Sequence, residues 1–386
     1  MNRYYIHLST LMLMIALLSA CINPINDFEQ VAYKRFLTVE ASITDQVGAQ
    51  KVKLYQSADK IDGSGNFVAI TGAKVYVTTA SGQTEDFVEQ TSSAAKGVYA
   101  SSDGFLGKIG ETYTLHIKLS NGKEYESTAE TMRKAPEIEN VITQFEINDA
   151  YSKGDARRVG FNVYADFQDD PALGDYYQWF WKHYERAPFC ITCVNGAKYN
   201  FSTSNCESPR IPNNDVWNYL CSSPCWNTTF STELNLMSDA YLNGKRITGK
   251  KVARVPFSDY TPYYLQLEQR SLTRNSYNYY LSLANQTQNT GTLFDVPAET
   301  RFSLNIKNKA DVNEKILGIF DVYAVKKRIF YIDRQAGVPD NEYPLKTVVD
   351  GNVYSCPPGS VNCQDKVPCL EGLYRTPFRP EGWIGD

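Results

Sequence analysis

Cysteines, a run of acids, one aromatic strand and two histidines are the side chains here whose types and spacing can do chemistry. Cys190-x2-Cys193 followed by Cys221-x3-Cys225 has the rhythm of a tetrahedral zinc site. Cys190-Ile191-Thr192-Cys193 alone has the spacing of a redox dithiol, but no βαβ pattern surrounds it. Cys206 lies between the two pairs and fits neither scheme. Together with Cys356, Cys363 and Cys369 these cysteines are even in number, which in an exported chain reads as disulfides. Five fall within residues 190–225 and three within 356–369. Full pairing therefore requires at least one bridge between the groups, across a loop of more than a hundred residues. A bridge of that span stabilises by ~4–5 kcal/mol less any strain.

Asp166, Asp169, Asp170 and Asp175 cluster around one expected hairpin tip. Carboxylates and loop carbonyls suit calcium, yet the spacing matches no known calcium loop and also reads as a solvated acidic turn. His116 sits between Leu115 and Ile117 on a strand and so faces the opposite side. His183 follows Trp181, and neither histidine has a metal or nucleophile partner nearby in sequence. No G-x-S-x-G, H-E-x-x-H or phosphate-cradling glycine loop occurs. Tyr177, Trp179 and Trp181 share one strand face, while Tyr176, Phe180 and Tyr184 crowd the other. Such rings stack on a sugar or peptide, or anchor a protein partner. The alternative is a strand buried between a sheet and the cysteine-rich segment.

A ninth cysteine, Cys21, has different surroundings. Arg3 begins a positive start, the stretch from Leu8 to Ala20 is mostly apolar, and Leu18-Ser19-Ala20 precedes Cys21. An apolar run of about thirteen residues is short of the ~20 that span a bilayer. The pattern resembles a bacterial lipobox, which implies cleavage before Cys21 and a diacylglyceryl group on its sulfur. Asn26, Asp27, Phe28 and Glu29 resemble the short acidic signal that carries Bacteroidota lipoproteins to the cell surface; an ordinary polar tether is the other reading. Residues 1–20 are then a cleaved signal and 21–34 a lipidated tether.

These groups need a scaffold, and the periodicity points to one that is mainly β. Between residues 35 and 134, Leu37, Val39 and Ala41 alternate, as do Val75 and Val77, and Leu115 and Ile117. Asn121-Gly122 is a strong hairpin dipeptide. Six or seven short strands predict an immunoglobulin-like sandwich without a core disulfide, with Val39, Val75, Val77, Tyr99, Leu115 and Ile117 inside. Ala135-Pro136-Glu137 reads as a linker. A larger β-rich domain follows over 138–334, with a hairpin formed by residues 161–167 and 177–182. It carries a disulfide-stapled insertion at 188–230. One helix is predicted, with Ser271 as its cap and Tyr277, Tyr280, Leu281 and Ala284 on one face. The tail, 335–386, is rich in Cys and Pro and packs on the second domain.

The order of segments carries a resemblance. Thr38-Val39-Glu40-Ala41-Ser42-Ile43, Gly72-Ala73-Lys74-Val75-Tyr76-Val77 and Gly97-Val98-Tyr99 come early. Gln269-Arg270-Ser271-Leu272-Thr273, Thr290-Gly291-Thr292-Leu293-Phe294-Asp295-Val296-Pro297 and Ile316-Leu317-Gly318-Ile319-Phe320 come late. In this the chain resembles the Bacteroidota lipoproteins of domain-of-unknown-function family 4249. Gly318-Ile319-Phe320 departs from the family, where an aromatic usually follows the glycine, and the cysteine-rich insertion is not assumed of it. Members are commonly encoded beside TonB-dependent transporters and have no established enzymatic activity. The resemblance implies a non-catalytic, surface-exposed outer-membrane lipoprotein, an accessory subunit of a β-barrel complex with its associated lipoproteins. A structural subunit of an outer-membrane assembly or secretion machine, and a surface glycan- or peptide-active enzyme or adhesin, remain alternatives. No cofactor is expected beyond the lipid on Cys21. A net charge of −4 argues against a nucleic-acid partner. Cys21→Ser is expected to move the chain from the membrane to the soluble fraction on cell fractionation; unchanged membrane partition would remove the lipid anchor.

Overall fold

The computed structural model describes residues 35–385 except 58–66, 93–94, 156, 172–173, 212, 241, 289–301, 346–350, 357 and 360–362. Cys21, Asn26, Asp27, Phe28 and Glu29 lie outside the described residues, as does the signature at 290–297. The fold is mainly β, with a single helix among the described residues.

Period-2 sequences form the first sandwich. Leu37–Thr44 buries alternate residues, as its pattern of apolar and polar side chains requires. It pairs with Lys51–Gln56, which pairs with Val98–Ala100. The opposing layer is Lys74–Thr79, Thr112–Lys118 and Glu124–Ser127. Thr84–Glu89 pairs with a strand from each layer and closes one side. All six residues expected in the core are buried. His116 lies at the sheet surface as its alternation implies, stacked on Tyr76 and 3.2 Å from the Glu126 carboxylate.

The expected boundaries at 134 and 138–334 need correction. Ile306–Asn308 pairs with Glu124–Ser127, and residues 317–323 run parallel to Leu37–Thr44. Ile306, Ile316, Phe320 and Val322 belong to the first core. The same strand, Leu317–Ile332, then continues antiparallel to Tyr263–Leu272 in the second body. A parallel pairing leaves no turn signature, because its partners are joined by a long crossover. The join is tight. Gly318 has φ +93°, and a Cβ there would overlap the Val39 carbonyl. Where the strand leaves the first sandwich, the Val325 N–H donates to the Asp45 carboxylate at 2.9 Å. The expected linker is equally tied: Ala135 is fully buried, and Gln269 Nε2 donates to the Pro136 carbonyl.

The second body is also a sandwich. Asn140–Ile147, Val159–Gln168 and Arg246–Pro256 form one sheet. The other contains Tyr263–Leu272, Tyr176–Arg186 and Trp226–Phe230. The hairpin expected from 161–167 and 177–182 does not form, because its two strands lie in opposite sheets. Sheets pack ~10 Å apart, a gap the intervening loop spans. The cysteine-rich segment builds a small third sheet from Phe189–Cys193, Trp217–Cys221 and two short tail strands. The helix is Arg274–Gln288, and Thr273 rather than Ser271 caps it: Thr273 Oγ1 accepts from the Ser276 N–H, while Ser271 donates to the Arg133 carbonyl. Ser276 and Ala284 are buried, whereas Leu281 is exposed.

Gly318→Ala adds a side chain at a left-handed φ and against backbone. Urea unfolding is expected to show a loss of about 3 kcal/mol or more; an unchanged midpoint would mean that the parallel join is not under this constraint.

Candidate functional site

Tyr177 and Trp179 are core residues, the buried alternative and not a binding platform. They are 0% and 1% exposed, and pack with Phe167 from the facing sheet. The Trp179 indole N–H donates to Gln269 Oε1 at 2.9 Å, so its polar atom is satisfied internally. Trp181 is half-buried against the same core. On the other face, Tyr176 stacks on Tyr277 of the helix, and Phe180 lies under the Arg270 guanidinium. Both aromatic faces are covered by protein.

The far end of this strand opens onto a cavity of ≈ 570 Å³. His183 lines its inner side and is buried. Its Nδ1 lies 2.7 Å from the Tyr264 carbonyl, which only accepts, so Nδ1 carries the proton. The ring stacks on Tyr263 at 3.5 Å. Nε2 then faces the half-exposed Glu185 carboxylate at 3.9 Å. The neighbouring His183 ring, with Arg334 further off, holds the Glu185 carboxyl below the usual carboxylate range.

Arg334 is the second unusual group. It is 1% exposed, yet its hydrogen bonds go to the neutral groups of Thr261 and Ser258. Nε donates to the Thr261 carbonyl, Nη1 to Ser258 Oγ and Nη2 to Thr261 Oγ1. Burial pushes its pKa below the ordinary guanidinium value, while Glu185 and Asp259 act on it through space. A buried cation facing two rim carboxylates makes the cavity dipolar.

The remaining wall comes from the tail. Trp383 packs against Tyr264 and Trp226, and the Ile384 N–H donates to the Tyr331 hydroxyl at 2.6 Å. Tyr264 donates its hydroxyl to the Glu381 carbonyl at 2.7 Å. The Trp383 indole N–H has no partner among the described residues. The tail is held by the bridge between the two cysteine groups that parity demanded, Cys225–Cys369, across 144 residues. The other bridges are Cys190–Cys221, Cys193–Cys206 and Cys356–Cys363. Sulfurs of Cys190, Cys225 and Cys369 converge, but all are bridged. A zinc site needs thiolates, so the zinc reading falls.

A model of the family described as a domain of unknown function (DUF4249) matches residues 23–329. The chain belongs to this family. None of the curated proteins matches it. Within the DUF4249 chain, His183 and Glu185 fall inside the matched residues, whereas Arg334, Cys369 and Trp383 fall beyond them. In the sequence His183 has no partner close by, and nothing signals Arg334 or Trp383. Their proximity is created by folding, although the aromatic alternation running on to His183 was a usable hint.

Replacing Cys225 and Cys369 together with Ser removes the longest closed loop. Stability is expected to fall by up to about 5 kcal/mol, with the segment after residue 369 becoming protease-sensitive. A tail still protected in that variant would show that packing alone holds this wall.

Proposed function

We propose that this DUF4249 chain is a non-catalytic, lipid-anchored binding subunit on the cell surface, accessory to an outer-membrane β-barrel of the TonB-dependent transporter kind. The observation that carries this reading is the cavity beside His183. Its aromatic walls come from two strands and a tail covalently fixed against them. Preformed apolar cavities with a few polar groups are what small-ligand capture requires. Tyr184, Tyr331 and Trp383 offer aromatic surface, and Arg334 opposed to Glu185 and Asp259 favours a neutral or dipolar ligand over a strongly charged one. The lipobox-like residues before Cys21 and the acidic-aromatic Asp27-Phe28-Glu29 support the anchored, exposed position. Capture near the membrane is useful when a transporter takes over the ligand, which connects the cavity to a barrel partner.

Affinity purification from gently solubilised membranes is expected to recover a β-barrel protein with the chain. External protease on intact cells is expected to cut the chain. Recovery of the chain alone would overturn the accessory role, and complete protection from protease would place it on the inner face. Trp383→Ala is expected to keep the barrel partner while losing any small molecule that native mass spectrometry detects on the wild-type chain.

A further inference from the structure

The acids expected at one solvated hairpin tip divide on folding. Asp166 stays near the surface, accepting from the Gly249 N–H. Asp169 and Asp175 turn inward and meet Asp239, which lies more than sixty residues further along the chain. All three are at least 97% buried, with exposures of 1%, 3% and 1%. One carboxylate oxygen from each lies within 4.8 Å of the others.

Hydrogen bonds account for only part of this cluster. Asp169 accepts from the Tyr177 hydroxyl at 2.5 Å and from the Gly244 N–H at 2.8 Å. Asp175 Oδ1 pairs with Arg133 at 2.9 Å. Asp175 Oδ2 and Asp239 Oδ2 are buried and have no partner among the described residues. Nor does Asn243 Oδ1, on the loop that supplies the Gly244 N–H. An orphaned buried carboxylate oxygen is costly, and orphaned oxygens on two converging carboxylates compound the cost. Three carboxylates against one guanidinium leave two negative charges, which a divalent cation would neutralise.

We propose that Asp169, Asp175 and Asp239 form a calcium-binding site, with the orphaned oxygens of Asp175 and Asp239 as ligands. The ligand set is all oxygen and hard, which excludes metals that prefer sulfur or imidazole. Oxygens within 4.8 Å of one another can share one hard cation, and calcium takes an irregular oxygen cage while magnesium demands near-ideal octahedral geometry and keeps several of its waters. The oxygens not supplied by these side chains are left to backbone carbonyls and water. A second cavity, ≈ 280 Å³ and lined by Asp169, Asp170, Glu137 and Glu139, adjoins the site and gives an acidic approach from solvent. An ion here would fasten the crossing between the sheets to the loop 239–245 and, through Arg133, to the segment joining the two sandwiches. This site is separate from the cavity beside His183 and does not depend on the transport reading.

The test uses the whole mature chain, stripped with chelator and titrated with calcium chloride or magnesium chloride alone. The expected result is saturable binding of one calcium by calorimetry and a rise in Tm, with magnesium a poor substitute. Terbium luminescence sensitised through Tyr177 is expected, and calcium should quench it. Asp239→Asn should weaken calcium affinity at least tenfold while Asp166→Asn leaves it unchanged. Absence of calcium heat and of any Tm change in the wild-type chain would overturn the site and leave the carboxylates satisfied by protons. An unaltered calcium response in Asp239→Asn would overturn it as well. Should that variant fail to fold, the wild-type titration and the terbium signal still decide.

Discussion

One strand belongs to two sandwiches, and the rest of the molecule is arranged around that fact. Residues 317–323 of Leu317–Ile332 run parallel to the first strand of the chain, and the remainder pairs with Tyr263–Leu272. A strand shared in this way cannot slip in register without disrupting both cores, because a one-residue shift turns every side chain to the wrong face. Gly318 allows the close approach to Val39 that the parallel pairing needs. Around the crossing, the Tyr280 hydroxyl donates to buried Asp321, and Arg270 pairs with Glu268 at 3.2 Å between the rings of Phe180 and Tyr323. Burial pushes Asp321 above its ordinary carboxylate value, so this network is a cost that its hydrogen bonds must offset. In return it seats the helix on the shared strand in one orientation.

The aromatic strand Tyr176–Arg186 follows from the same arrangement. Its first half lies between the facing sheet and the helix, so rings on both sides are core. Its second half runs beyond the helix, where the tail covers only part of it, and the cavity is the space left between. Core and cavity are thus two ends of one strand, distinguished by what packs over them and not by residue type. Rings at the first end build the sandwich; rings at the second line the cavity.

The staples act where apolar packing is thin. The third core contains Cys190, Cys193, Cys225 and Cys369 among its buried residues, and the tail adds only short strands to it. Short strands contribute few ladder bonds, so a covalent tie across 144 residues is what limits the freedom of the unfolded tail. It also keeps Trp383 against Tyr264, and hence the cavity wall in place.

Local pattern was enough for the β character, the buried alternation of Val39, Val75, Val77, Leu115 and Ile117, the surface position of His116, and the rule that one disulfide must join the two cysteine groups. Each rests on nearest neighbours or on parity, which a chain carries along its length. The partner choice of each cysteine, the shared strand, the opposite sheets of the expected hairpin and the helix that covers one face of the aromatic strand were not legible. The same holds for the meeting of His183 with Arg334 and of Asp175 with Asp239. These depend on contacts between residues tens to hundreds of positions apart. A side chain's periodicity states which face it occupies, but only the assembled layers decide what covers that face.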